Sequence, residues 1–446
     1  MGKQLFGTDG IRGVAGEYPL DAETVYAFGV ALGKDAAAHG PHPEILIGTD
    51  TRESGSWIAE MVAGGLTSQG ARVRYAGVIT TPGVAYLTRT GPFVAGVVIS
   101  ASHNPYRDNG LKVFAHNGFK LPDDEEHLIE QEILGWVARG VTPVPYALTV
   151  DAELDRQYLD FLLGIPSVRL DGVKVAIDCG NGAACRMAPE LFRKLGAEVV
   201  AIGSDPDGRN INLNCGALHL EALQEAVVAH GAAFGAAFDG DADRAIFVSA
   251  GGKVVNGDAV LLAAGRALKA AGHLPGDTVV STVMSNLGLE KAFEEDGIRM
   301  VRTPVGDKYV LEEMVRVGAA LGGEQSGHVI FREYSTTGDG MLTALRLFEI
   351  AHIAGVGLDE LTADLKIYPQ LLVNIRVREK KGLLELPAVA EEIRRAEEAF
   401  AGAGRVLVRF SGTEPLARVM VEGRDMGQVE TLSGHIADAI RRAMGA

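Results

Sequence analysis

Residues 96–114 read GVVISASHNPYRDNGLKVF, an apolar run that stops abruptly in two serines, a histidine and Asn-Pro. The apolar half, residues 94–99, is short, β-branched and uncharged, which is the pattern of a strand buried on both faces. Pro105 ends it, because proline has no N–H for a ladder and biases Asn104 away from helical geometry. Ser100, Ser102, His103 and Asn104 therefore lie at the C-terminal mouth of a strand, where open α/β sheets place their ligands. A turn rich in Ser and Asn has the same composition, so the choice rests on the rest of the chain.

Three stretches repeat one order of elements. Each opens with a short strand running into a polar turn: EILIGTDTRESG from Glu44, VKVAIDCGNGAA from Val173 and DTVVSTVMSNLG from Asp277. A helical segment and a second strand follow, in QGARVRYAGVITTP, LGAEVVAIGSDPDG and DGIRMVRTPVGDK. After a further helix comes an apolar third strand that ends in a polar loop: ISASHNP, AAFDGDADR and GGEQSGH. Strands alternating with helices predict βαβ units, and right-handed crossovers put the three loops on equivalent sheet edges. From about Tyr368 the pattern changes. QLLVNIRVRE, RVLVRF and LARVMVEG alternate apolar and polar residues around a charged helical stretch at 391–398, which predicts an α+β tail. The expected fold class is α/β, with three similar mixed or parallel-sheet domains at 1–150, 151–255 and 256–366 and a smaller α+β domain at 367–446.

Composition narrows the function. The chain has 446 residues, too many for one core, and is 47% hydrophobic and 22% charged. A formal net charge of −16 argues against nonspecific nucleic-acid or anionic-membrane binding. Three cysteines, Cys179, Cys185 and Cys215, include no C-x-x-C pair, so neither a disulfide framework nor a zinc site is indicated. The start MGKQLFGTDGIRG lacks a signal-peptide apolar run, and no stretch has the ~18 apolar residues of a membrane span. A cytoplasmic location is expected.

The loops carry the chemistry. In FDGDADR, Asp239, Asp241 and Asp243 stand at alternate positions, so an extended backbone points their carboxylates to one side. Converging like charges call for a cation, and oxygen-only ligands favour Mg²⁺ or Ca²⁺. An EF-hand fails, because its glycine position is Arg244 and its bidentate glutamate position is Ala250. The apolar strand leading into Asp239 favours a metal over a solvated acidic turn. Ser102 is the partner nucleophile, since a serine hydroxyl needs a base or metal and a phosphoserine beside Mg²⁺ is a phosphoryl donor. His103 and Lys112 lie close enough in sequence to move protons. In GGEQSGH, Glu324 and Ser326 suit sugar hydroxyls and His328 is a further donor or base. RFSGTEP places Arg409 before and Arg418 after a Ser-Gly-Thr turn, the bidentate cations and exposed amides that a phosphate needs. GVALGKD has the wrong spacing for a Walker A loop, and GNGAAC lacks the third glycine of a dinucleotide fingerprint, which disfavours a nucleotide-dependent kinase.

In this combination the chain resembles the α-D-phosphohexomutase family, through FGTDGIRG, SASHNP, DGDADR, TPVGDK, GGEQSGH and RFSGTEP in order across essentially its whole length. FGTDGIRG and the GEQSG loop favour the family's bacterial glucosamine branch. The resemblance implies that Ser102 is the phosphorylated serine and that one Mg²⁺ is held by Asp239, Asp241, Asp243 and the phosphate on Ser102. It implies substrate contacts from Arg12, Gly306, Asp307, Glu324 and Ser326. Arg409, Ser411, Gly412, Thr413 and Arg418 would clamp the phosphate that is not reacting. Ser102, His103, Lys112, Arg244 and His328 are the catalytic set, with Lys112 or His328 as proton carrier. The implied reaction converts glucosamine 6-phosphate to glucosamine 1-phosphate through glucosamine 1,6-bisphosphate, an intermediate and activator, and feeds UDP-N-acetylglucosamine and cell-wall synthesis.

The implied partners are a sugar phosphate and, for priming, a protein kinase or autophosphorylation, with no nucleic acid or membrane, in a monomer or homodimer. The rival within the fold is a phosphomannomutase/phosphoglucomutase. A non-catalytic sugar-phosphate sensor is the rival from another class, and it needs neither Ser102 nor the Asp triad.

Overall fold

A computed structural model describes residues 4–7, 9–380, 382–411 and 415–445. The first sheet contains β1 (Phe6–Gly7), β2 (Gly10–Val14), β3 (Glu44–Thr49), β4 (Arg72–Val78), β5 (Phe93–Ile99) and β6 (Asp108–Ala115), in the spatial order β1-β2-β6-β5-β3-β4. β3 pairs parallel with both β4 and β5, whereas β6 runs antiparallel to β5. The second sheet is ordered β11-β10-β9-β7-β8, from β7 (Lys174–Asp178), β8 (Glu198–Ile202), β9 (Phe234–Phe238), β10 (Ala245–Ser249) and β11 (Val254–Val255). The third is ordered β13-β12-β14-β15, from β12 (Thr278–Thr282), β13 (Arg299–Thr303), β14 (Leu321–Gly323) and β15 (Val329–Phe331).

Each sheet repeats one device: a central strand flanked by two parallel neighbours, the second of which turns back through an antiparallel partner. The three polar loops are those turns, joining β5 to β6, β9 to β10 and β14 to β15. Ile45, Ile47, Val97 and Ile99 are buried in one cluster with Phe28, Ile58 and Val62 of the helices Ala22–Ala36 and Gly55–Ser68. Each such aliphatic side chain contributes ~1.5–3 kcal/mol on burial, so the loops stand on a stiff base. Helix starts follow local chemistry: Thr80 accepts from the Gly83 N–H at 3.2 Å with Pro82 in the first turn, and Asp339 accepts from the Leu342 N–H at 2.9 Å.

By compactness the chain divides into two units, Met1–Val283 with Arg299–Ala363, and Met284–Ile298 with Asp364–Ala446. The second unit holds β16 (Gln370–Arg376), β17 (Gly404–Phe410) and β18 (Leu416–Gly423) in an antiparallel sheet ordered β16-β18-β17, with helices Pro387–Phe400 and Met426–Met444. This is the alternating tail read from the sequence. The helix Leu287–Glu295, which sequence order assigns to the third copy, packs in the C-terminal unit instead. Its Leu287 N–H donates to Glu422 Oε1 at 3.0 Å, and the Asn286 amide donates to the Tyr368 carbonyl at 3.0 Å. Among the described residues no helix is long and apolar enough to cross a membrane.

Candidate active site

Ser102 lies in the turn between β5 and β6 at a left-handed φ of 53°, and it is 1% exposed, buried where the sequence suggested an open mouth. Its hydroxyl donates to Asp239 Oδ2 at 2.6 Å, and its N–H donates to Ser100 Oγ at 2.9 Å. Asp239, Asp241 and Asp243 do converge, with ligand oxygens within 4.8 Å of one another. The route differs from the expectation of an extended backbone. The segment is a tight turn with Ala242 at φ 55°, and the carboxylates meet because the chain wraps around them.

All three carboxylates are buried, and Asp241 Oδ1 and Asp243 Oδ1 have no hydrogen-bond partner among the described residues. Burial, and next the like charges of Asp243 and Asp241, push Asp239 well above the usual carboxylate range. Buried oxygens left unsatisfied around mutually repelling carboxylates are the donor set of a hard divalent cation. The residues fit a metal.

Cations surround this triad. Lys112 on β6 is 1% exposed, and its ammonium lies 2.8 Å from Asp241, 3.0 Å from Asp9 and 3.8 Å from Asp243. Burial alone would pull its pKa down, yet those carboxylates raise it, so Lys112 keeps its proton. Asp241 is the mirror case: burial opposes ionisation, but Lys112 and the Thr81 hydroxyl, which donates at 2.6 Å, lower its pKa. Arg244 donates to His103 Nδ1 at 3.1 Å. Burial, and then the Arg244 and Arg12 charges, lower His103 to about 4, so at neutral pH it is an uncharged ring 3.3 Å from Ser102 Oγ.

The network continues through Asp9, which pairs with Arg12 and Lys120, and Lys120 pairs in turn with Asp307. Asp307 lies 3.5 Å from His328 Nε2, which accepts the Gly338 N–H at 3.1 Å. Glu324 accepts the Gly306 N–H at 3.2 Å and lies 3.5 Å from Ser326 Oγ. A cavity of about 520 Å³, lined by Lys120, Asp307, Leu311 and His328 with His39 and His116, opens at this end of the network rather than at Ser102. The first unit thus brings together Arg12, Ser102, His103, Lys112, the Asp triad and Arg244, and reaches Gly306, Asp307, Glu324, Ser326 and His328.

Arg409, Ser411 and Arg418 belong to the second unit. Arg409 on β17 is the cross-strand neighbour of Arg418 on β18, and burial followed by the Arg418 charge lowers its pKa. Gly412 and Thr413 lie outside the described residues. Sequence reasoning missed Asp9, Thr81 and Lys120. Asp9 sits inside the FGTDGIRG motif with its partner Arg12, but its importance depends on two further cations, Lys112 and Lys120, that are distant in sequence. The N-terminal strand bearing this motif is held by Glu130 of the helix Asp123–Ala138, which accepts the N–H groups of Gln4, Leu5 and Phe6 at 2.8, 2.7 and 3.0 Å.

Comparison with known proteins agrees with this architecture. Phosphoglucomutase/phosphomannomutase models match throughout: alpha/beta/alpha domain I at residues 3–137, domain II at 156–252, domain III at 256–368 and the C-terminal domain at 372–439. A phosphoglucosamine mutase of Solibacter usitatus is 81% identical over 445 residues, covering 100% of both chains. A phosphoglucosamine mutase of Koribacter versatilis is 51% identical, covering 99% of this chain and 98% of its own. Among solved structures, a phosphoglucomutase/phosphomannomutase family protein of Burkholderia thailandensis superimposes with a TM-score of 0.80 at 25% identity, covering 98% of this chain and 97% of that one. The Aspergillus fumigatus N-acetylphosphoglucosamine mutase, solved in complex with GlcNAc-6P and magnesium, shares the fold at 18% identity and a TM-score of 0.64, covering 100% of this chain and 96% of that one. With four ordered domain matches and relatives aligned end to end, the chain belongs to the phosphoglucomutase/phosphomannomutase family of α-D-phosphohexomutases.

Proposed function

We propose that this chain interconverts glucosamine 6-phosphate and glucosamine 1-phosphate. The observation that carries the reading is the Ser102 hydroxyl donating at 2.6 Å into a buried triad of carboxylates. Full-length similarity to phosphoglucosamine mutases supports the amino sugar over glucose or mannose.

Ser102 carries a phosphoryl group at the start of the cycle. The sugar O1 attacks phosphorus, the bond to Ser102 Oγ breaks, and glucosamine 1,6-bisphosphate forms. After the bisphosphate turns end for end, Ser102 Oγ attacks the 6-phosphate and O6 leaves with a proton. Asp239, Asp241, Asp243 and the phosphate on Ser102 would hold one Mg²⁺. Such an ion, when bound, neutralises the carboxylates and withdraws charge from the transferring phosphoryl oxygens. Arg12 and Arg244 face the same charge, and His103 stays neutral beside Ser102. Lys112 and His328 are the proton carriers. Each transfer passes the proton of the attacking hydroxyl, through one of these carriers, to the departing oxygen, so no proton is gained or lost. Gly306, Asp307, Glu324 and Ser326 face the sugar, and Arg409, Ser411, Gly412, Thr413 and Arg418 hold the other phosphate.

The same reading takes four domains at 1–150, 151–255, 256–366 and 367–446, priming by a protein kinase or by autophosphorylation, and a cytoplasmic monomer or homodimer. Intact-mass measurement before and after incubation with glucosamine 6-phosphate tests it, together with turnover of the glucosamine, glucose and mannose phosphates. One added phosphate, absent in Ser102→Ala along with turnover, is expected. An alanine variant that turns over like the wild type defeats the phosphoserine cycle, and a higher kcat/KM on mannose 1-phosphate moves the chain to the mannose and glucose branch.

A further inference from the structure

Two side chains outside the catalytic set converge on the backbone that carries Ser102. Arg52, in the turn after β3, donates from Nη2 to the Ser102 carbonyl at 3.2 Å and to the Asn104 carbonyl at 2.6 Å. Asn212, in the segment after β8, donates from Nδ2 to the same carbonyls at 2.9 and 3.2 Å. The donors come from the first and second sheets, and each is fixed in turn. Arg52 forms an ion pair with Asp50 in which both side chains are fully buried, and Asp50 also accepts the Ser100 hydroxyl at 2.6 Å. Asn212, at φ 57°, donates its N–H to the Gly180 carbonyl at 2.8 Å, and the Gly180 N–H donates to Asp178 at 2.9 Å at the end of β7.

The purpose of the convergence follows from Ser102's own backbone. A φ of 53° is one that residues with a Cβ rarely adopt, and a turn free to relax would leave it. Relaxation swings the Cα–Cβ bond and carries Oγ away from Asp239. Because peptide units are planar, pinning the Ser102 carbonyl fixes the plane after Ser102 and so its ψ. The plane before it, and so its φ, is fixed by the Ser102 N–H donating to Ser100 Oγ at 2.9 Å, a serine that the Arg52–Asp50 pair holds in turn. The need grows when Ser102 is phosphorylated, since a group of charge near −2 then sits against carboxylates that push the loop outward. Among the described residues, neither side chain donates to the Asp triad, Glu324, Ser326, Asp307 or His328.

We infer that Arg52 and Asn212 are positioning residues for phosphoryl transfer, holding Ser102 in the left-handed conformation that aims its oxygen, and the phosphate it carries, at the Asp triad. This rests on the phosphoserine reading above. Asn212→Gly removes the amide while keeping the left-handed φ accessible, and Arg52→Lys keeps a charge for Asp50 but loses the fork that reaches both carbonyls. Each variant is assayed as the full chain with Mg²⁺, glucosamine 6-phosphate and added glucosamine 1,6-bisphosphate, beside thermal melting. A misplacement near 1 Å costs up to ~10²-fold in rate. The expected result is therefore a kcat lower by roughly 10- to 100-fold with KM within about twofold and melting within a few degrees of wild type. A kcat within twofold of wild type in both variants overturns the inference. So does a loss that tracks the unfolded fraction, or one that appears in KM alone, since either marks structural support. A wild-type chain with neither phosphoserine nor turnover takes down the cycle itself, and the inference with it. Active wild type with indifferent variants takes down only the inference.

Discussion

Gly240→Ala should stop the chemistry without unfolding the chain. Gly240 is the second residue of the Asp turn, and an added Cβ would stand 2.5 Å from the Ser102 carbonyl oxygen, 2.8 Å from Ile211 Cδ1 and 3.0 Å from Asn212 Nδ2. Ordinary contact begins near 3.4 Å, so the Ser102 carbonyl and the Asp turn must separate by about 0.9 Å. Gly240 is not among the glycines at positive φ, so alanine adds no backbone strain, and overpacking of this size costs ~1–3 kcal/mol. The displacement falls on a pair whose geometry the proposed reaction uses, Ser102 Oγ and Asp239. A shift near 1 Å lowers rates by up to ~10²-fold, or about 2.7 kcal/mol of barrier. Steady-state formation of glucosamine 1-phosphate, thermal melting and a matched control measure this. Gly434→Ala is the control: its Cβ meets nothing within 4 Å inside the helix Met426–Met444, so it should stabilise by up to ~1 kcal/mol and leave kcat alone. A Gly240→Ala protein that melts within a few degrees of wild type and keeps kcat within threefold would refute the contact between the two turns as the determinant of Ser102 placement.

Asp241→Asn should weaken metal binding and lower kcat together, and wild-type turnover should vanish in excess EDTA; full activity after exhaustive chelation removes the metal from the site. Arg418→Ala deletes one of two cross-strand arginines, and loss of a charge-assisted contact of ~1.5–3 kcal/mol should raise KM by roughly 10- to 100-fold. Its activity should also fade with time as bisphosphate escapes, and return on adding glucosamine 1,6-bisphosphate; an unchanged KM with sustained turnover places the phosphate elsewhere. Burial raises Asp339 to about 6 against the hydrogen bonds it accepts from Leu342 and Tyr158. The folded pKa exceeds the unfolded one, so this group's contribution is full below pH ~4 and is lost as pH rises through 6, about 3 kcal/mol in all. Asp339→Asn should therefore gain melting temperature relative to wild type between pH 4 and 7, and parallel curves would disprove it.

What could be read in the sequence was whatever shows as an uninterrupted run or an alternation. β3, β5, β7, β9 and β12 are buried almost throughout, so they appear as apolar stretches that end at polar loops, and the threefold repeat follows. β16 and β17 are half-buried and carry their packed residues on one face, and the alternation of β16, β17 and β18 separates the tail. Backbone turned by a residue other than glycine stayed hidden. Ser102 and Ala242 sit at φ 53° and 55°, and neither residue type advertises a left-handed turn, so the Asp run passed for extended chain. Packing partners were hidden too. The order of elements gives the helix Leu287–Glu295 to the third copy, but order does not say that its N-terminus meets Glu422. Asp9, Thr81 and Lys120 are single polar residues that gain their weight from Lys112, Asp241 and Asp307, all distant in sequence, and composition carries no such signal.

Charge ties the pieces of the first unit together. Six carboxylates, on Asp9, Asp239, Asp241, Asp243, Asp307 and Glu324, share one network with four cations, on Arg12, Lys112, Lys120 and Arg244, so with every carboxylate ionised two negative charges are in excess, which is why burial and its like-charged neighbours raise Asp239. At an effective dielectric near 20, two unit charges about 5 Å apart interact by ~3 kcal/mol, so the excess is costly in a buried site. One divalent cation brings the count to zero. A phosphate on Ser102 adds about −2 and restores the excess. On the phosphoserine reading proposed above, that phosphate is therefore held at raised energy. A mutase needs that property, because a serine phosphate much more stable than a sugar phosphate would trap the enzyme after one turnover, and a much less stable one would never be re-formed from the bisphosphate.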